Sequence, residues 1–274
     1  MDTKLMQYEF VAFDTETTGF YPVQDKIIEL SAIKFKIDGT ILGKFDELID
    51  PQMAIPVASS KVHGLYDADV QGKPLVKEIL EKFVEFIGDK SVLVAHNADF
   101  DLKFLGAEMI INKIPLPPVD IWDTLGLSRA FIKNIMNHKL ETLVNHYDFK
   151  ADGFHRALTD SMYLVHLMNR FYLDGYTLLQ MEQVAKISHF TKAKDILTVQ
   201  LPLSLMSIKK ALSKNLDLLI DYEERAGEVV QSIVEPKLLY KTEKLSFLYA
   251  NEKEQIIAKS FQIAKLKKVK VIKN

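Results

Sequence analysis

Residues 10–19 read FVAFDTETTG: four apolar positions run into two acids one residue apart, and a Thr-Thr-Gly turn follows. This is the pattern of a strand that ends in polar chemistry. Residues 26–37 (KIIELSAIKFKI) alternate as a half-buried strand, Asp38-Gly39 signals a hairpin, and residues 40–49 return as a third strand. Residues 56–64 read as a turn carrying Val62-His63-Gly64. Helical spacing then sets in at residues 75–87, followed by a short, wholly apolar strand at 91–95 of the kind buried between parallel neighbours. Residues 102–110, 137–147 and 161–172 read as helices, with a short strand at 119–122 between the first two.

The pattern changes towards the C-terminus. Residues 173–200 form a connecting region, helical around 177–186. From residue 203 a short helix leads into brief alternating strands at about 216–224, 229–241, 245–251 and 256–272, with a turn at Arg225-Ala226-Gly227-Glu228. Short strands behind one helix predict a small, separate β-barrel.

Composition narrows the class. Of 274 residues, 48% are hydrophobic and 26% charged, which is globular rather than disordered. The absence of cysteine excludes disulfides, thiolate metal sites and a cysteine nucleophile, and suits a reducing compartment. The N-terminus lacks the apolar core of a signal peptide and no run approaches 18 apolar residues, so the expectation is cytoplasmic, with no membrane partner. The net charge of −2 hides an asymmetry: from residue 173 onward there are 17 Lys+Arg against 12 Asp+Glu, a weak pointer to an anionic partner there.

Candidate chemistry gathers at three places. Residues two apart on a strand share a face, so Asp14 and Glu16 sit roughly 6.5 Å apart and repel unless a cation lies between them. Asn97 and Asp101 in HNADFD follow the apolar strand; four residues apart on a helix they would share a face. That segment alone supports either a site or a helix start, with Asn97 or Asp99 as the cap. Asp160 lies on the stripe of Leu164, Leu167 and Phe171, and an unpaired carboxylate on such an inward stripe needs a cation. His155, five residues earlier, is a candidate general base beside it. Four carboxylates without cysteine suit two hard ions, Mg²⁺ or Mn²⁺, rather than zinc. Two such ions can activate a water and stabilise a leaving oxygen in phosphodiester cleavage.

DTETTG, HNADFD and H-x4-D, in this order and spacing, resemble the three motifs of the DEDDh exonucleases, and especially the proofreading epsilon-type domains of bacterial DNA polymerase III, over residues 7–172. The resemblance implies a ribonuclease H-like α/β fold with a mixed five-stranded sheet of order 3-2-1-4-5, flanked by helices. It implies 3′→5′ release of nucleoside 5′-monophosphates by a two-metal mechanism. Asp14, Glu16, Asp101 and Asp160 match the metal ligands and His155 the general base. Thr17, Thr18 and Gly19 match the turn holding the terminal nucleotide, while His63, Asn97 and Phe100 match positions near the 3′ end.

The C-terminal part is similar to the WYL domain, an Sm-like β-barrel, in its opening helix, Ile220-Asp221-Tyr222, Val234-Glu235-Pro236 and 261–266 (FQIAKL). Ser246-Phe247-Leu248 replaces the name-giving triplet, and Lys259 and Lys265 stand where that family often has arginines. The expected organisation is an exonuclease domain at 1–172, a helical linker at 173–200 and a WYL-like barrel at 201–274. The favoured reading is a single-stranded DNA exonuclease acting at 3′ ends, modulated by a nucleotide or nucleic acid at the barrel. RNA or small oligonucleotides are the alternative substrate. A non-catalytic sensor on the same fold, or a polymerase-bound subunit, are the rival functions.

Overall fold

The computed structural model describes residues 2–150, 153–185, 188–242, 244–253, 255 and 258–272. The start of the last expected strand, Ile256 and Ile257, lies outside the described residues. The chain divides into two compact units, Met1–Ala193 and Lys194–Asn274.

The first unit begins as the hydrophobic pattern predicts. Strands β1 (Phe10–Thr17), β2 (Ile27–Phe35) and β3 (Ile41–Leu48) form an antiparallel meander. Asp38 accepts from the backbone N–H of Thr40 at 3.0 Å, and Gly39 takes φ +90°, so the Asp-Gly pair makes the β2–β3 turn. Residues 56–64, expected as a turn, instead contain helix α1 (Val57–His63), ended by Gly64 in the left-handed conformation. Its seven residues are too few to show a helical apolar period. Helices α2 (Asp67–Val70) and α3 (Val76–Ile87) lead to β4 (Val92–Ala95), which pairs parallel with β1. Helix α4 (Asp99–Ile111) then crosses over to β5 (Asp120–Asp123), parallel to β4.

The five strands stand in the expected order 3-2-1-4-5. A two-residue strand, β6 (Ser188–His189), extends the sheet beyond β5 and follows α5 (Thr124–Phe131), α6 (Leu140–His146), α7 (Ala157–Leu173) and α8 (Leu178–Val184). Strand alternation divides the core between the two faces. Val11, Phe13, Leu30 and Ala32 pack with Phe83 of α3 and Phe104 of α4. Phe10, Ala12, Ile33 and Phe35 pack with Leu164, Leu167 and Phe171 of α7. Asp14 and Glu16 continue the second face past its apolar part. Met181, Ala185, Phe190 and Ala193, in the stretch read as a linker, are buried in this unit's cores.

The second unit opens with α9 (Ser207–Lys214). An antiparallel sheet follows, built from β7 (Asp217–Arg225), β8 (Glu228–Lys241), β9 (Ser246–Glu252), β10 (Lys259–Gln262) and β11 (Leu266–Ile272). The closed barrel expected from the sequence is not what the ladders form. The order β10-β9-β8-β7-β11 is open, with no β10–β11 pairing among the described residues. The sheet is nevertheless strongly coiled. A single 3₁₀ turn, Ile263–Lys265, joins the two edge strands. Such a turn rises only about 6 Å, whereas the edges of a flat five-stranded sheet lie about 19 Å apart. Tyr222 of β7 bridges the seam, its hydroxyl accepting from the backbone N–H of Gln262 at 3.4 Å and its ring meeting Phe261 at 5.2 Å.

Candidate active site

The site forms where β1 outlasts β4. Their parallel pairing reaches only Ala12 and Val94, so β1 backbone donors beyond it need other partners. Asp101, in the first turn of α4, supplies one: its Oδ1 accepts the backbone N–H of Thr15 at 3.1 Å and the Thr15 hydroxyl at 2.7 Å. Asp101 is buried, and burial pushes its carboxyl up to about 7 although Thr15's hydrogen bonds pull the other way.

Glu16 of β1 stands beside Asp160 at the N-terminal end of α7, and Asp14 lies in the field of Asp101, Asp160 and Glu16. Burial, reinforced by Asp101, Asp160, Glu16 and Glu29, raises the Asp14 carboxyl well above the usual range. Burial, with Asp160, Glu29 and Asp101, lifts Glu16 to about 8. Asp160 lies in the first turn of α7 and burial raises it to about 6, opposed by the His155 backbone N–H, which donates to its Oδ2 at 3.0 Å. Its Oδ1 is buried with no hydrogen-bond partner among the described residues. Ligand atoms of Glu16, His155 and Asp160 lie within 4.8 Å of one another. Crowded oxygens with raised pKa values and an orphaned buried acceptor fit hard divalent cations. Asp14 and Asp101 stand outside that close trio but share its field.

The remaining candidates surround this centre to different degrees. The Thr17 hydroxyl donates to Gly19 O at 2.6 Å, and the Thr18 hydroxyl accepts from Lys26 N at 2.9 Å, so the turn is closed by its own threonines. A Cβ on Gly19 would stand 2.5 Å from the Asp25 carboxylate, which accepts from the Tyr21 N–H; close approach rather than a special φ calls for glycine here. Ser59 of α1 donates to Thr18 O at 2.7 Å, tying the helix that carries His63 to the turn. His63 is buried; its Nδ1 accepts from Leu65 N at 3.1 Å and its Nε2 has no partner among the described residues. Burial lowers its pKa, with His155 and Arg156 acting in the same direction against Glu29.

Asn97 departs from the expected stacking with Asp101. Helix α4 starts at Asp99, and Asn97 precedes it with φ +61°, its N–H donating to Asp123 at 2.9 Å. It is exposed rather than on the helix face of Asp101. Phe100 is half-buried and packs against Phe104 at 4.9 Å.

Three contributors escaped sequence reasoning: Thr15, Glu29 and Arg156. Glu29 faces Glu16 directly across the β1–β2 ladder and is 1% exposed. It accepts from Arg156 Nη2 at 2.7 Å, Arg156 Nε at 3.1 Å and Ala157 N at 3.0 Å. The available signal was one acid inside the apolar run IIEL.

In the second unit, Lys259 is taken up by Glu252 at 2.8 Å, and Lys265 donates to Glu224 O at 3.4 Å. Lys209, Lys210, Lys268 and Lys270 are exposed. No helix among the described residues is long and apolar enough to cross a membrane.

A family model described as an exonuclease, RNase_T, matches residues 11–168. The chain is 36% identical over 186 residues to the PolC-type DNA polymerase III of Latilactobacillus sakei, covering 67% of this chain and 13% of that protein. It is 39% identical over 174 residues to that of Halalkalibacterium halodurans, covering 62% and 12%. The chain thus spans about an eighth of the length of these curated relatives. Among solved structures, exonuclease X in complex with 5′ overhanging duplex DNA is similar with TM-score 0.51 at 24% identity, over 64% of this chain and 99% of that one. The nuclease domain of 3′hExo, a DEDDh family member bound to rAMP, gives 0.56 at 18%, over 64% and 96%. E. coli exonuclease I with a dT13 oligonucleotide gives 0.55 at 14%, over 89% and 55%.

Proposed function

This chain belongs to the RNase_T exonuclease family, on a ribonuclease H-like fold that implies divalent metal ions, and we propose that its first unit is a DEDDh-type 3′→5′ exonuclease domain that releases nucleoside 5′-monophosphates from the 3′ end of single-stranded DNA. The observation that carries this reading is the orphaned Asp160 Oδ1 beside Glu16 and His155, within the field of Asp14 and Asp101.

Asp14, Glu16, Asp101 and Asp160 would hold Mg²⁺ or Mn²⁺. Such ions, when bound, stabilise charge on the attacking and leaving oxygens. His155 accepts the proton of the attacking water as its oxygen bonds to phosphorus and the bond to the neighbouring 3′ oxygen breaks. Thr17, Thr18 and Gly19 cradle the terminal nucleotide. His63 offers a donor: Leu65 N–H occupies Nδ1, so the neutral ring carries its proton on the unpartnered Nε2. Asn97 and Phe100 border the strand, with the Phe100 ring available to a base. DNA is preferred because the curated relatives are DNA polymerases; RNA is the second reading, favoured by the likeness to 3′hExo.

The second unit is a WYL-like accessory domain that binds a nucleotide or nucleic acid. Its 15 Lys+Arg against 10 Asp+Glu from residue 194, and its exposed Lys209, Lys210, Lys268 and Lys270, support that role. A cytoplasmic setting suits the cysteine-free chain.

Chromatography of products from an unlabelled oligodeoxynucleotide tests the chemistry. Metal-dependent, EDTA-sensitive accumulation of 5′-mononucleotides is expected; oligonucleotide fragments or 3′-mononucleotides would refute it.

A further inference from the structure

Arg156 lies between the candidate base His155 and the first helical residue of α7, and its guanidinium closes on a carboxylate 127 residues earlier. Glu29 is sealed from solvent, while Arg156 remains 52% exposed on its outer side. The same carboxylate accepts the first N–H of α7, from Ala157, so its charge also sits at the positive end of a 17-residue helix. Three donors satisfy an otherwise costly buried charge.

What the pair holds is strained. His155 adopts φ +62°, a left-handed backbone conformation uncommon for a side chain with a Cβ. From the other end the loop is tied by Tyr163, whose hydroxyl donates to Gly153 O at 2.8 Å. Between these two ties the His155 N–H is delivered to Asp160. Glu29 also stands opposite Glu16, and like charges facing across a ladder repel. The Arg156 charge offsets that repulsion where the candidate ligands converge.

The geometry points to Glu29 and Arg156 as a positioning clamp. It fixes the start of α7 against β2, and thereby sets His155 and Asp160 over Glu16. Neither residue touches the reacting atoms. Their task is to keep the loop in its strained, competent form before substrate arrives. This inference rests on the exonuclease reading for its kinetic consequence, and on the metal-binding geometry for an independent one.

Single removal of Arg156 would strand a buried charge and confuse stability with function. The decisive variant is therefore the neutral, volume-matched pair Glu29→Leu/Arg156→Met, compared with wild type and Arg156→Lys in the full chain. Steady-state cleavage of oligo(dT) with Mn²⁺, Mn²⁺ affinity by calorimetry and thermal melting are measured together. The double variant should lose about 10–100-fold in kcat and about as much in Mn²⁺ affinity, the range seen when supports of metal ligands are removed. KM should stay within about threefold, because binding is separable from placement of the reacting groups. The melting temperature should stay close to wild type, since the charged pair leaves as a unit. Arg156→Lys, which keeps the charge but loses the fork, should recover part of the kcat loss.

Unchanged kcat in the double variant would overturn the clamp. So would a kcat loss matched by an equal loss of folded protein. Should wild type release no nucleotides, the exonuclease reading fails by itself. The clamp is then decided by Mn²⁺ affinity, where weakening in the double variant supports it and equal affinity contradicts it.

Discussion

Thr15 gives both its backbone N–H, at 3.1 Å, and its hydroxyl, at 2.7 Å, to one oxygen of Asp101, 86 residues further along the chain. The contact exists because β4 stops pairing while β1 continues, leaving a strand donor that α4 must satisfy. It locks the carboxylate of one helix to the strand that carries Asp14 and Glu16. Asp101→Ala should abolish cleavage without unfolding the chain, because it removes a candidate ligand and relieves carboxylate crowding. Thr15→Val removes the hydroxyl bond alone and should lower kcat about 10–100-fold. Kinetics with circular dichroism on both variants checks the pair; full activity in Asp101→Ala would exclude its role.

The crowded acids make stability depend on pH. Glu16, raised to about 8, Asp101, to about 7, and Asp160, to about 6, bind more protons folded than unfolded between their ordinary pKa values and these. The excess lies on the native side, so stability of the metal-free protein falls as pH rises from about 4 to 8. Melting in EDTA across that range should show the decline. Mn²⁺ should raise the melting temperature more at pH 8 than at pH 5, where the sites are largely protonated. A flat metal-free profile would contradict the electrostatic description.

Gly106 is the point where α4 meets Ala193. A Cβ added there would lie 2.1 Å from the Ala193 Cβ. Overpacking of this kind costs about 1–3 kcal/mol. Gly106→Ala should therefore lower the melting temperature by several degrees. Calorimetry of the full chain checks this, and unchanged melting would show that the two elements can part freely.

Each unit has a core of its own: Val199, Ile208, Leu218, Ile220 and Phe261 cluster in the second, and Val11, Phe13, Phe10 and Phe35 are among the core residues of the first. Removing residues beyond 200 should leave cleavage of short oligonucleotides intact while weakening binding or processivity on long ones. Steady-state rates on 10-mers and 60-mers, about those lengths, separate the two effects. Identical kinetics on the long substrate would deny the second unit a part in substrate handling.

Much of the first unit was legible because its information is local. The Asp14–Glu16 pair follows from strand alternation, and Asp160 from its position above Leu164, Leu167 and Phe171 on one helical stripe, all of which are buried. The Asp38-Gly39 turn needed only four residues of context. Glu29 was not legible, because its partners Arg156 and Ala157 lie far away in sequence and a lone acid in an apolar strand does not name them. Asn97 misled for a related reason. Spacing of four implies a shared face only if both residues are already helical, and the left-handed Asn97 is not. The second sheet shows the limit of strand counting: number and length were readable, while closure depends on whether β10 and β11 pair, which no local pattern records.

The most direct measurement is a time course on 5′-labelled single-stranded DNA and RNA with Mn²⁺ or Mg²⁺, comparing wild type with Asp101→Ala. A ladder that shortens one nucleotide at a time from the 3′ end, in the wild type only and faster on DNA, is the predicted result. No shortening of either strand by wild-type protein that binds Mn²⁺ would contradict the account and leave a metal-binding nucleic-acid sensor in its place.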